Sequence, residues 1–259
     1  MTDFDVRTAN LRALNSLTKY PSIPTYHALD PGNGGLTDKV VEFVGRVHLT
    51  EKVDGTNSRI VVLPDRTYLI GSREELLYAE GDLIGNPALG IVDALLDVAS
   101  AMAPYGTGIV TYYFEVYGGK VTAASKHYTG SRRVGHRVFD ICVIDDYATM
   151  LDWPTERVSS WRDHGGQRFL DEDELLRVAA GNGLATVPRL DVLDAAELPT
   201  DIDKTHQFLV DRLPRTTVAL DGTPGRPEGI VLRSGSRSVI AKARFQDYER
   251  TLRRRSGGR

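Results

Sequence analysis

The stretch from Arg46 to Arg73 limits the possible folds more than any other part of the chain. Val47 and Leu49 alternate with polar neighbours, Arg59 to Leu63 is rich in β-branched residues, and Pro64-Asp65-Arg66 supplies a turn before Thr67 to Gly71. Alternation with period two gives a strand one buried face, and so short a reversal suits antiparallel pairing. Helical signals surround this hairpin-rich stretch. Val6, Leu11, Leu14 and Leu17 fall near a 3.6 period and predict a short amphipathic helix within 5–19. Pro21, Pro24, Pro31 and the Gly-rich stretch 32–35 mark a loop. Asn86-Pro87 reads as a cap and first-turn proline for a helix over 87–102, with Leu89, Val92, Leu95, Leu96, Ala99 and Met102 on one apolar face.

Strands are expected at 108–117 and 137–145, and helices at 171–180, opened by Asp171, and at 201–212. Strands at 228–233 and 238–244 close the chain, and 146–170 shows no clear period. Without regular βαβ alternation, the expected class is α+β with mainly antiparallel sheets. A length of 259 residues suits one domain.

Composition narrows the setting. Hydrophobic content of 41% and charged content of 26% are those of a globular chain, and no apolar run is long enough to span a bilayer. The acidic opening Met1-Thr2-Asp3-Phe4-Asp5 fits neither a secretory signal nor a transit peptide. The single cysteine, Cys142, sits in an apolar run and reads as a small buried hydrophobe, so a reducing, cytoplasmic setting is expected. With a net charge of −3, any nucleic-acid footprint must be local. Two patches qualify: Lys126-His127 with Arg132-Arg133 and His136-Arg137, and the basic tail 246–259 with Arg250, Arg253, Arg254, Arg255 and Arg259. Charge runs are also commonly solvated faces.

The informative segment is Glu51-Lys52-Val53-Asp54-Gly55-Thr56-Asn57, between two expected strands. Alone it is weak, because Asp-Gly also suits a charged hairpin turn. Further segments then follow in order: Gly71-Ser72-Arg73, Phe114-Glu115-Val116-Tyr117-Gly118, Val138-Phe139-Asp140-Ile141, Glu228-Gly229-Ile230-Val231-Leu232-Arg233 and Ile240-Ala241-Lys242-Ala243-Arg244.

This ordered set resembles the motifs of the covalent nucleotidyltransferase superfamily of DNA ligases, RNA ligases and messenger-RNA capping enzymes, over residues 19–248. Lys19-Tyr20-Pro21-Ser22-Ile23, the run from Lys52 to Asn57 and Lys242 to Phe245 look most like the RNA ligase 2 branch. The resemblance implies a ligase-type nucleotidyltransferase domain of antiparallel sheets flanked by helices, with the nucleotide site between them. It also implies an ATP-dependent RNA ligase that uses Mg²⁺ or Mn²⁺ and joins 3′-hydroxyl and 5′-phosphate ends through a lysyl-AMP intermediate. The substrate would be RNA ends or a nicked duplex, with DNA an alternative.

The chemistry requires such residue types. Lys52 is the implied nucleophile, and an amine with an ordinary pKa of about 10.4 attacks phosphorus only after losing its proton. Nearby cations and partial desolvation favour that loss. Lys242 and Arg244, two apart on one strand and so on one face, suit charge building on the α-phosphate. By resemblance, Glu228 assists with metal or its water, Glu115 and Arg73 hold the ribose, and Phe139 stacks on adenine. Glu51 is assigned to the adenine edge, and Asp54 and Asn57 to the turn, the phosphates or the polynucleotide ends. Each has a plainer alternative: Glu115 and Glu228 as exposed strand carboxylates, Phe139 as core, and Arg73 paired with Glu74 or Glu75.

Two positions depart from the pattern: Arg244 stands where the family usually has lysine, and Asp54 where the RNA ligase 2 branch usually has histidine. Arg244 is followed by 15 residues, fewer than the appended C-terminal domains of longer relatives contain. A minimal catalytic module is therefore expected, with the basic tail or an accessory protein engaging substrate, or a pre-activated end as the natural substrate. Other readings are a DNA ligase, a GMP-transferring capping-type enzyme, or a non-catalytic nucleotide or RNA-end binding protein.

Overall fold

Strand pairing is antiparallel throughout the structure, a computed structural model that describes residues 5–86, 90–222 and 224–257, apart from isolated bridges of Thr25 with Lys242 and Val138 with Thr186. In chain order come α1 (Leu11–Leu17), β1 (His27–Leu29), β2 (Leu36–Val40), β3 (Arg46–Lys52), β4 (Thr56–Val62), β5 (Tyr68–Ser72), β6 (Leu76–Ala79) and β7 (Asp82–Leu83). Next are α2 (Ile91–Ser100), β8 (Ile109–Gly118), β9 (Val134–Ile144), α3 (Tyr147–Met150), α4 (Thr155–Asp163), β10 (Arg168–Phe169) and α5 (Glu172–Gly181). The last are β11 (Arg189–Asp194), α6 (Ile202–Arg212), β12 (Gly229–Ser234), β13 (Ile240–Arg244) and α7 (Phe245–Gly257). The α+β class with mainly antiparallel sheets is thus the observed one.

These elements form two compact units, each drawn from three stretches of sequence. One takes the chain up to Pro21, Gly55–Ala123 and Val134–Thr186; the other takes Ser22–Asp54, Ala124–Arg133 and the chain from Val187 onward.

The first unit holds a seven-stranded sheet in the order β10-β9-β8-β4-β5-β6-β7. Ile60, Ile70, Tyr112 and Phe114 cluster with Leu95 of α2 and Leu175 of α5. Alternate residues point the other way: Val61 and Leu69 join Leu14 of α1, while Tyr113 and Cys142 join Leu17 and Val158 of α4. Because both faces are covered, β8 reads as a continuous apolar run instead of an alternating one. Along it every residue is buried except Glu115. Each fully buried Leu or Ile here contributes about 1.5–3 kcal/mol relative to exposure.

The second unit holds a four-stranded sheet in the order β11-β3-β12-β13 and the separate β1-β2 pair. Val47, Leu49, Ile230, Leu232, Ala241 and Ala243 pack on Ile202 and Leu209 of α6 and on Phe245 and Tyr248 of α7. Period two then places Thr50, Lys52, Val231, Lys242 and Arg244 on the opposite face.

The helix capped by Asp171 forms as expected, and Asp201 caps α6 in the same way, each side chain accepting a backbone N–H three residues on. The helix expected over 87–102 is instead Ile91–Ser100, with Gly90 as its N-cap in the left-handed region at φ 65°. Pro87 and Leu89 lie outside the described residues, and Ile91 and Val92 are buried in the first turn of the helix. The unreadable segment 146–170 contains α3, α4 and β10. Only Val158 of α4 is buried, which leaves no apolar stripe to detect.

The stretch read from the sequence as the basic tail 246–259 falls in α7, where Phe245, Tyr248 and Thr251 recur on the buried side. Three of its arginines are engaged: Arg250 donates to the Gly34 carbonyl at 2.7 Å, Arg254 to the Asn33 carbonyl, and Arg255 pairs with Asp38 at 3.2 Å. These contacts clamp the β1-β2 connection, and Arg259 lies outside the described residues. No helix among the described residues is long and apolar enough to cross a membrane.

Candidate active site

Lys52 ends β3, and its strand neighbour across the pair is Gly229, which in turn pairs with Arg244 on β13. Directly opposed residues share a face, so Lys52 and Arg244 project from the same side with a glycine between them, roughly 9–10 Å apart by strand spacing. A Cβ at Gly229 would collide with the Ala243 carbonyl, so only glycine fits there. In the next row Thr50, Val231 and Lys242 align.

The Lys52 ammonium donates to Glu228 Oε2 at 2.5 Å, both side chains being about four-fifths buried at 24% and 19% exposure. Burial pushes the Glu228 carboxyl above its ordinary value, against the pull of Lys52, which favours the charged form; the charges of Asp54 and Arg244 act on it in opposite senses.

Arg244 donates through Nε to Asp247 Oδ2 at 2.8 Å and through Nη2 to Asp247 Oδ1 at 3.2 Å, a two-point contact with a buried carboxylate. A lysine cannot make that fork, which accounts for arginine at this position. Arg250 binds the same carboxylate at 2.9 Å. Lys242 is held by its backbone: its N–H donates to the Pro24 carbonyl at 2.9 Å and its carbonyl accepts from Tyr26 at 2.8 Å. A cavity of about 430 Å³ lies here, lined by Lys39, Lys242, Arg244, Tyr26 and Val40 among others.

Glu51 does not share the Lys52 face. It is 1% exposed, and both carboxylate oxygens are taken by the 216–217 loop: Thr216 Oγ1 donates to Oε1, and the Thr217 N–H and Oγ1 donate to Oε2 at 2.9 and 2.6 Å. The residue assigned to the adenine edge is therefore brought to a loop anchor, because successive residues of a strand point to opposite faces. After Lys52 the chain does not form a hairpin, since β3 and β4 belong to different sheets. The Asp54 N–H instead donates to the Tyr128 hydroxyl at 2.7 Å, and burial raises the pKa of that phenol, keeping it protonated.

The remaining assigned residues lie on the first unit. Asn57 opposes Glu115 across β4 and β8, and Glu115 opposes Arg137 across β8 and β9, so these three share a face. Glu115 Oε1 accepts the Gly55 N–H at 2.9 Å, and a Cβ on Gly55 would collide with the Val116 carbonyl. Phe139 sits edge-on to Tyr20 with ring centroids 5.0 Å apart, and Tyr20 donates its hydroxyl to Asp140 at 3.0 Å. Arg73 is 53% exposed, 3.7 Å from Glu74. Beneath it, the fully buried Arg59 donates to the Arg73 carbonyl at 3.1 Å and to Asn15; burial lowers its pKa to about 10.

The structure thus brings Lys52, Glu228, Lys242 and Arg244 to one sheet face, and Asn57 and Glu115 to another. Residues not singled out in the sequence also take part: Tyr128, Thr216, Thr217, Asp247 and Arg59. Their partners are 14 to 166 positions away, apart from the Arg244–Asp247 pair at i, i+3, and only that short spacing is legible in a single sequence.

Among the described residues no group of three or more His, Cys, Asp or Glu is assembled around a metal position. Glu228, with the Asp54 charge acting on it, is the donor set present, and it suits a Mg²⁺-like ion that takes most of its oxygens from phosphates and water.

Comparison with curated protein sequences returned no match. Among solved structures, an archaeal ATP-dependent RNA ligase aligns with a TM-score of 0.54 at 16% identity, covering 89% of this chain and 49% of that one. The Naegleria gruberi RNA ligase with pyrophosphate aligns at 0.51 and 13% identity, covering 81% and 52%. A mutant of the Naegleria enzyme with ATP and manganese aligns at 0.51 and 12%, covering 80% and 52%. At these identities the likeness establishes the fold, and the chain spans about half the length of each. The family model for RNA ligase matches residues 45–245, a span running from β3 to the start of α7 that contains every assigned residue. The chain belongs to the RNA ligase family.

Proposed function

We propose that this chain is the adenylyltransferase module of an ATP-dependent RNA ligase, with Lys52 as its nucleophile. The Lys52 amine attacks the α-phosphorus of ATP, a P–N bond forms, and the bond to the β-phosphate oxygen breaks to release pyrophosphate. AMP then passes to a 5′-phosphate, breaking P–N and freeing the amine. A 3′-hydroxyl attacks that activated phosphate, and AMP leaves with the bonding pair. The observation that carries this reading is the ion pair of Lys52 with Glu228 at 2.5 Å, on the sheet face that also presents Lys242 and Arg244.

In the free protein Glu228 holds the ammonium, so the ion pair must open before attack, and the carboxylate is an acceptor for the proton that Lys52 gives up. Arg244, fixed by Asp247, and Lys242 offset charge growing on the α-phosphate oxygens. Mg²⁺ or Mn²⁺ bound through Glu228 and the phosphates would add to that compensation. On the first unit, Glu115 and Arg73 are assigned to the ribose, Phe139 to the adenine face and Asn57 to the phosphates or the polynucleotide ends; Asp54, on the unit that carries Lys52, is assigned to the phosphates or the polynucleotide ends as well.

Incubation with α-labelled ATP and Mg²⁺ tests the proposal: the protein is expected to take up label, and Lys52→Ala to take up none. Competition by GTP and NAD, then sealing of nicked RNA, DNA and hybrid duplexes, checks base and substrate. Wild-type protein that stays unlabelled, or seals DNA nicks alone, contradicts it.

A further inference from the structure

Cations gather on two loops of the unit that carries Lys52. Lys126, Arg132 and Arg133 lie on 124–133, and Arg215 and Arg226 on 214–226; all five are exposed. Across both stretches Asp221 is the one acidic residue, in a chain whose net charge is −3. That carboxylate is taken up by the facing loop: it accepts from Thr129 Oγ1 at 2.6 Å and from the Gly130 N–H and Ser131 Oγ at 2.7 Å each. The loops are also laced by backbone, with Leu220 N–H donating to the Tyr128 carbonyl at 2.7 Å and Gly225 N–H to the His127 carbonyl at 2.9 Å.

Arg226 pairs with Glu249, and Arg133 donates to the Leu220 carbonyl at 2.6 Å. Lys126, Arg132 and Arg215 have no carboxylate at ion-pair distance among the described residues. Neither loop carries an exposed large hydrophobic residue. The platform is tied to the Lys52 segment at two points, through Tyr128 to the Asp54 N–H and through Thr216 and Thr217 to Glu51, and it runs directly into Glu228.

We propose that these loops form the docking surface for the phosphate backbone of the RNA strand whose end is joined, an inference that rests on the RNA ligase reading. Dispersed cations, three of them without a carboxylate partner among the described residues and with only Val134 as an exposed large hydrophobic beside them, match a chain of regularly spaced phosphates. A lipid surface would call for apolar groups to insert. Because Asp221 and the backbone pairing already order the loops, binding costs little further conformational entropy.

Single-strand binding loses affinity with salt at a logarithmic slope of about 0.7 per phosphate contact. The combined variant Lys126→Ala, Arg132→Ala, Arg215→Ala should therefore flatten the slope by about 2 and weaken binding of a 5′-phosphorylated RNA roughly 100-fold at 0.1 M salt. Fluorescence anisotropy across a salt series reads both, and labelling by α-labelled ATP is followed in parallel and is expected to persist. Should the combined variant melt early, Lys126→Gln, Arg132→Gln and Arg215→Gln are each expected to flatten the slope by about 0.7. Wild-type slope and affinity in the folded variants overturn the proposal. Failure of wild-type protein to take up label overturns the ligase reading instead, and leaves the RNA-binding result to be read separately.

Discussion

Replacing Glu51 separates a loop anchor from a reader of the base. Its carboxylate is buried and accepts three hydrogen bonds from Thr216 and Thr217. Hydrogen bonds to a charged group contribute about 1.5–3 kcal/mol each, and a buried donor left unpaired costs about 1–3 kcal/mol. Taking the lower figure for each of three bonds, Glu51→Ala should destabilise by about 4–5 kcal/mol. Glu51→Gln keeps the shape and turns charged bonds into neutral ones, for a loss of about 1–2 kcal/mol. With about 2–4 °C per kcal/mol for a chain of this size, Glu51→Ala should melt about 10–15 °C early and Glu51→Gln about 3–6 °C early. Calorimetry measures both, alongside the preference for ATP over GTP in lysine labelling. A Glu51→Ala protein that melts within about 2 °C of wild type, or a Glu51→Gln protein with wild-type melting and altered base preference, refutes the anchoring argument.

Two other substitutions probe the same neighbourhood. Tyr128→Phe removes the acceptor of the Asp54 N–H and is expected to slow labelling by Lys52 several-fold while lowering stability by about 1 kcal/mol; single-turnover labelling and thermal melting check this. The Asp221 carboxyl is depressed to about 2 by its bonds from Thr129, Ser131 and Gly130, so its stabilising effect is present above its ordinary value and disappears as the pH falls through about 2. Asp221→Asn should accordingly melt below wild type at neutral pH, with the gap closing between about pH 4 and pH 2, and a gap independent of pH contradicts the assignment.

Sequence reasoning succeeded where the controlling interaction is local or periodic. Asp171 and Asp201 cap helices by bonding three residues ahead, and the turn Pro64-Asp65-Arg66 joins β4 and β5 as expected. Lys242 and Arg244 share a face because the strand period is two. It is silent where charge conceals packing. The arginines of α7 draw attention to charge, while Phe245, Tyr248 and Thr251 carry the helical spacing of three that buries one side. Glu51 stands next to Lys52 in the motif, and strand alternation sends the two side chains to opposite faces, so adjacency in sequence does not show where its carboxylate is held. Tyr128 left no trace in sequence, because its partner at Asp54 is 74 residues away.

The central claim is that Lys52, held by Glu228 on the face shared with Lys242 and Arg244, takes AMP from ATP. Its most direct test is peptide mapping by mass spectrometry after incubation with ATP and Mg²⁺. The account predicts an acid-labile AMP adduct on the peptide containing Lys52 and on no other; an adduct on a different residue, or none on the wild-type protein, contradicts it.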